Sequence, residues 1–255
     1  MCHVGSEISV VVCISTAQII FFPVSVGYEF LEFFHDQIVR AFPIWEFTHI
    51  IVSAFSAVQA QYSADAFFVQ EVLSERGIAL ADCDAVCVSK GPGSYTGLRV
   101  GVSTAKGLCF GSGKPLIAVG TLDTLVAQAQ QTPGMTEGIR YIVPMVDARR
   151  MEVYSAVFDP EGHQITETSP VIVDGDSFAG YLAEGPVLFI GDGAGKCEAV
   201  IRHPNAHFRQ CYPQASSMLV PALAALKAGD FKDVAYFEPF YLKEFVATVS
   251  KKKLW

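Results

Sequence analysis

The stretch SKGPGSYTGLRVGVSTAKGL, residues 89–108, gathers the residue types with the widest chemical scope in the chain. A tight turn at Gly91, Pro92 and Gly93 leads into a helix opened by Ser94 or Thr96. A glycine-rich turn that enters a helix N-terminus offers free backbone N–H groups and the positive end of the helix dipole, a setting suited to an anion. The alternative is that the glycines only let the chain turn sharply, and residue types alone do not separate the two. Along the helix, Gly97, Gly101 and Ala105 lie four apart and form a small-residue stripe over which another helix can approach closely. That stripe is either an internal packing face or a partner interface. Arg99 and Lys106 fall elsewhere on the helix, where they border that interface or face water.

Other constellations are weaker. Residues 191–196, GDGAGK, have the look of a phosphate loop, but Ile190 and Cys197 stand where that loop needs glycine and a serine or threonine. A strand-to-helix turn is the expectation there. His203 and His207 are separated by Pro204 and Asn205, which indicates a loop, and no third ligand is evident, so no metal site is expected. Asp147, Arg149, Arg150 and Glu152 form a dense charged group after a strand, read as a hairpin end or inter-lobe salt bridges ahead of acid–base chemistry. Ser94 lacks the nucleophile elbow, and no Ser-His-Asp or Cys-His arrangement is defined. Seven scattered cysteines (Cys2, Cys13, Cys83, Cys87, Cys109, Cys197, Cys211) include one close pair with no second pair to answer it, the pattern of buried, reduced thiols.

The elements that would position these residues alternate between strand and helix. Phe67, Phe68, Val72 and Leu73 recur at helical spacing, with Gly77 as a stop. Strands are expected at 84–89, 115–119, 141–146, 152–158 and 187–190, and helices at 96–111, 121–130 and 216–227. This alternation indicates an α/β fold with strands covered by helices. A polar boundary containing Pro133 and Gly134 falls at 131–138, giving an expected division into residues 69–132 and 133–255.

Residues 1–68 read differently. They hold ten of the nineteen phenylalanines, one leucine (Leu31), one arginine (Arg40) and no lysine, against the habit of soluble domains. Two readings compete, an unusual hydrophobic N-terminal region or a stretch translated in a shifted frame, and the abrupt start near residue 64 of the resemblance given below favours the second. No apolar run reaches the roughly 18 residues of a membrane span, and no signal-peptide pattern is present, so a cytoplasmic protein is expected. The formal net charge of −8 argues against autonomous nucleic-acid binding.

The segment GPGSYTGLRVGVSTAKGL with PLIAVGTLDTL after it resembles the bacterial TsaB (YeaZ) family. The resemblance continues through DARRMEVY at 147–154, GDGA at 191–194 and FEPFYL at 237–242, and covers about residues 64–254. It implies an actin-like, sugar-kinase-like fold of two related α/β lobes, the first incomplete or altered here. It also implies a non-catalytic dimerisation subunit that pairs with a catalytic paralogue, TsaD, for threonylcarbamoylation of the adenosine beside the tRNA anticodon. TsaE joins that complex, and tRNA is met only through it. Gly97, Gly101, Ala105, Arg99 and Lys106 are the implied interface residues, and Gly91, Pro92, Gly93, Ser94 and Thr96 the structural turn. No cofactor is expected on this chain alone; ATP or ADP at the shared interface and a homodimer when the partner is absent are both left open, and no membrane contact is implied. The H-x-x-x-H metal pair of the catalytic relatives has no counterpart at a matching position. The rival is an enzyme of the same superfold, a nucleotide-dependent phosphotransferase or a metallopeptidase.

Overall fold

The computed structural model describes residues 11–15, 51–54, 69–70, 73–74 and 77–243. The reading of residues 1–68 as a frame-shifted stretch therefore lies outside the described residues except at two strands. These are β1 (Val11–Ser15) and β2 (Ile51–Ala54), which pair in parallel, Val12 opposite Ile51.

Two sheets result. The first has the order β2-β1-β3-β4, with β3 at Ala85–Gly91 and β4 at Leu116–Gly120, all parallel. Continuous apolar runs such as AVCVS suit a sheet covered on both faces. Val86, Val88 and Leu116 face α1 (Tyr95–Ser112) and meet its Val102, Ala105 and Cys109. Ala85, Cys87, Ile117 and Val119 face the other way, onto Ala215, Met218 and Ala222. Helix α1 starts at the Ser94 cap and ends at Gly113, whose φ of 70° satisfies the left-handed C-terminal position.

The second sheet has the order β7-β6-β5-β8-β9. Its strands are β5 (Tyr141–Asp147), β6 (Glu152–Ser155), β7 (Ser169–Ile172), β8 (Val187–Gly191) and β9 (Ala206–Gln210). β5, β8 and β9 run parallel, while β6 is antiparallel to both of its neighbours, β5 and β7. Val143, Met145, Val187 and Phe189 pack on Leu182, Ala194, Cys197 and Ile201. Of these, Leu182 comes from α3 (Ala179–Glu184), and Ala194 and Cys197 from α4 (Ala194–Glu198). Phe189 stacks on Phe208 with centroids 4.9 Å apart.

The unit β3-α1-β4 of the first sheet is repeated as β8-α4-β9 in the second, each with a glycine-containing turn between strand and helix, at 91–93 and 191–193. The lobes differ beside their first strand, where β2 is parallel to β1 and β6 antiparallel to β5. Two helices tie the lobes together. α2 (Thr121–Gln131) follows β4, yet its Leu122, Leu125, Val126 and Ala129 pack on Ile142, Val146, Leu188 and Ile190 of the second sheet. In return α5 (Leu219–Ala228), entered through a 3-10 turn at Ala215–Met218, covers the first sheet. A division at 132/133 falls in the loop between α2 and β5, and packing crosses it in both directions.

The expected strands and helices are present with shifted ends. β6 stops at Ser155, and Phe158 makes an isolated bridge to Ile142. The expected helix at 216–227 opens as the 3-10 turn, with Pro221 inside the first turn of α5, where a missing N–H costs nothing. Sequence patterning did not indicate β7, α3 or β9. The first and last of these are short edge strands with mostly exposed or half-buried side chains, and α3 is only six residues long.

Candidate functional site

The glycine turn after β3 is built for close approach. Gly91 has φ 106°, and a Cβ on it would stand 2.9 Å from both Leu98 Cδ1 and the Phe240 carbonyl oxygen. The group that approaches is the chain's own C-terminal segment: the Phe240 N–H donates to the Lys90 carbonyl at 2.7 Å. The Gly91–Pro92 peptide is cis. Gly91 and Pro92 are buried, Gly93 is half-buried, and Ser94 and Thr96 are exposed. Ser94 Oγ accepts the Gly97 N–H at 3.4 Å and caps α1. The turn thus serves chain geometry and capping.

Helix α1 resolves the stripe. Gly101 and Ala105 are buried with Leu98, Val102 and Cys109, and Gly97 is half-buried. The small residues at these positions let the helix lie close to the first sheet, so Gly101 and Ala105 belong to the internal packing face. Lys106 is also engaged within the chain, its Nζ donating to the carbonyls of Ala235 at 3.1 Å and Phe237 at 3.0 Å. Arg99 is exposed. The outward face of α1 carries Thr96, Arg99, Ser103, Gly107 and Phe110. Phe110 is 88% exposed, and a Cβ on Gly107 would meet nothing within 4 Å. Phe110 stands opposite the buried Leu98–Val102–Cys109 side of the helix.

The C-terminal segment runs along both lobes. Lys232 N–H bonds to Leu116 O at 2.8 Å, Lys106 grips two of its carbonyls, and Lys243 pairs with Glu152 Oε2 of β6. Together with both lobes it encloses a cleft of about 580 Å³ lined by Lys90, Pro92, Asp123, Phe158, Glu167 and Phe240 among others.

The charged group at the β5–β6 hairpin is a salt-bridge network. Lys196 Nζ pairs with Asp147 Oδ1 and donates to the carbonyls of Arg150 and Glu152, each at 2.7 Å. Lys196 therefore pins the hairpin from GDGAGK, which forms the end of β8, a turn and the start of α4. Asp192 Oδ1 accepts the Asp147 N–H at 2.9 Å. Burial raises the Asp192 pKa, against the bond from the Asp147 N–H, and the Asp147 charge adds to the rise. A carboxyl with a raised folded-state pKa stabilises the fold fully below its unfolded value and loses that contribution as pH rises through the folded value. Asp192→Asn, which keeps the acceptor oxygen, is expected to gain on the wild type in urea unfolding as pH is taken from 4 to 7. Equal pH dependence of the two would contradict this.

The remaining candidates are structural. His203 lies in a loop, its Nδ1 accepting the Asn205 N–H at 3.2 Å. His207 is exposed on β9, so the expected loop ends before it. Among the described residues no group of three His, Cys, Asp or Glu side chains is placed to hold a metal ion. Cys83, Cys109 and Cys197 are buried and free, and Cys87 is buried. Burial pushes the thiols of Cys109 and Cys211 up to about 11, and raises those of Cys83 and Cys197. Thiols held protonated react slowly. Iodoacetamide at pH 8 should leave Cys109 and Cys211 unlabelled by peptide mass analysis, and label them after urea unfolding; equal labelling in both states would contradict their burial.

Two lobes, each with parallel strands joined through a glycine-containing turn and a helix, and helices exchanged between them, define an actin-like, sugar-kinase-like α/β protein. A family model described as TsaD: tRNA N6-adenosine threonylcarbamoyltransferase matches residues 65–250. The tRNA threonylcarbamoyladenosine biosynthesis protein TsaB of Escherichia coli (strain K12) is 30% identical over 186 residues, 70% of this chain and 79% of that protein. TsaB of Bacillus subtilis (strain 168) is 34% identical over 128 residues, 48% of this chain and 52% of that protein. The structure of YeaZ from Pseudomonas aeruginosa superposes with a TM-score of 0.57 at 26% identity, covering 72% of this chain and 87% of that one. The chain belongs to the TsaB (YeaZ) family. Among the described residues, no helix is long and apolar enough to cross a membrane.

Proposed function

We propose that this chain is the non-catalytic partner subunit of a complex that makes threonylcarbamoyladenosine on tRNA in the cytoplasm. It pairs with a TsaD-type catalytic paralogue, and TsaE joins the pair. Kinship with TsaB supports the process, and the observation that carries the scaffold role is the outward face of α1, where Phe110 stands 88% exposed above Ser103 and Gly107. On this reading the interface passes from Gly97, Gly101 and Ala105 to Thr96, Arg99, Ser103, Gly107 and Phe110, because the former mostly pack inward. Gly101 and Ala105 set how close the helix lies to its sheet, and Lys106 holds the C-terminal segment. A nucleotide, ATP or ADP, belongs to the interface shared with the partner, and the chain pairs with itself when the partner is absent.

The test is reconstitution. TsaD and TsaE of the same organism are incubated with tRNA, threonine, bicarbonate, ATP and the enzyme that makes the threonylcarbamoyl adenylate, with and without this chain. Nucleoside chromatography of the digested tRNA should show the modified adenosine only when the chain is present. Equal product without it would defeat the scaffold role.

A further inference from the structure

The tip of the β5–β6 hairpin holds an unusual pair. The Ala148 N–H donates to Glu152 O at 3.1 Å and the Glu152 N–H to Arg149 O at 3.2 Å, which closes a loop of three residues, Arg149, Arg150 and Met151. Arg149 has φ 71° and Arg150 has φ 52°. Two successive residues in the left-handed region call for glycine or asparagine, since a longer side chain resists that conformation. Arginine at both positions persists only because the surroundings hold the backbone. They do so here through Lys196 on the Arg150 and Glu152 carbonyls, the Arg149 N–H on Asp147 Oδ1 at 2.8 Å, and Asp192 on the Asp147 N–H.

The charges around the tip are already matched. Asp147 pairs with Lys196, and Glu152 with Lys243. Both Arg149 and Arg150 are exposed, and among the described residues neither guanidinium has an ion pair. The hairpin therefore presents two uncompensated, always-charged forks at adjacent positions on a braced loop, in a chain whose formal net charge is −8. Guanidinium forks match the oxygens of a phosphate with two parallel N–H bonds.

We propose that the Arg149–Arg150 tip is a contact site for the phosphodiester backbone of RNA. Successive phosphates along one strand suit successive guanidiniums, and the choice of RNA rests on the role in tRNA modification proposed above. The negative chain as a whole disfavours RNA, so the contact acts only when the partner subunit brings the nucleic acid to it. Local strain is retained at the tip because asparagine and glycine, which would fit the loop better, carry no charge.

The experiment is fluorescence anisotropy of a fluorescein-labelled tRNA transcript with this chain mixed with the TsaD protein of its organism, titrated with NaCl. The variant is Arg149→Asn with Arg150→Gly. It should weaken binding about tenfold and lower the slope of log affinity against log salt by about two, one unit per phosphate released. Its melting temperature should equal or exceed that of the wild type. Unchanged affinity and slope would overturn the proposal, as would a lower melting temperature, which would show the arginines to be structural. Polyglutamate at equal charge should not displace the RNA from the wild-type mixture; displacement would assign the tip to an acidic protein surface instead. Light scattering on the same samples reads pairing with TsaD separately, so a failure of pairing, which strikes the proposed function, is distinct from loss of RNA contact with pairing intact.

Discussion

Replacing Gly191 by alanine is expected to destabilise the chain by about 3–5 kcal/mol, read as the shift of the urea unfolding midpoint. Gly191 ends β8 with φ 134°, and a Cβ there would stand 2.2 Å from the Met145 carbonyl oxygen and 3.0 Å from Leu125 Cδ1. The obstacle at 2.2 Å is backbone of the central strand β5, so no side chain can swing aside. That same carbonyl accepts the Gly193 N–H at 3.0 Å, and moving it away breaks the turn. Left-handed strain of about 1–3 kcal/mol adds to the displacement. Against a total stability of about 5–15 kcal/mol the loss is a large share. Gly107→Ala is the control: it sits in α1 with open space around it and should gain about 0.5–1 kcal/mol from helix propensity. Equal midpoints for Gly191→Ala and the wild type would contradict the packing of β8 on β5.

Phe110→Asp is expected to abolish pairing with the catalytic partner while leaving the fold intact. At 88% exposure Phe110 contributes little to the core, so its loss should alter stability by less than about 0.5 kcal/mol. At the centre of an interface an aromatic anchor contributes about 2–4 kcal/mol, a thirtyfold or greater loss of affinity, and a buried unpaired carboxylate adds to it. Isothermal titration of the variant into TsaD should show no measurable heat at micromolar concentrations. Wild-type affinity in the variant would remove the outward face of α1 from the interface.

The alternation of strand and helix was readable because parallel strands covered on both faces leave continuous apolar runs, such as those around Val86 and Phe189. The glycine turn was readable too, because Gly91 and Gly93 flank a proline at a strand end. The direction of the Gly97–Gly101–Ala105 stripe was not, since small residues allow close approach equally to the chain's own sheet and to a partner. Neither was the sheet on which α2 packs, because the apolar spacing of Leu122, Leu125 and Val126 records a buried side without naming what buries it. β9 was hidden by Pro204 and Asn205, which signal a loop up to its first residue, and by its alternation of half-buried and exposed side chains at an edge. The left-handed pair Arg149 and Arg150 gave no sequence signal at all, since the bonds that hold it come from Lys196 and Asp192, more than forty residues away. The resemblance to the TsaB family, carried by residues 91–108 and 147–154, supplied what local patterning did not: the pairing of two related lobes.

The scaffold role is tested most directly by size-exclusion chromatography with light scattering on this chain mixed with the TsaD protein of its organism, using wild type and Gly107→Leu. Position 107 is exposed and a Cβ there meets nothing within 4 Å, so the variant should fold like the wild type. A stable mixed complex is expected with the wild type and separate peaks with the variant. Folded wild-type chain that elutes apart from TsaD, or a variant that pairs as well as the wild type, would contradict it.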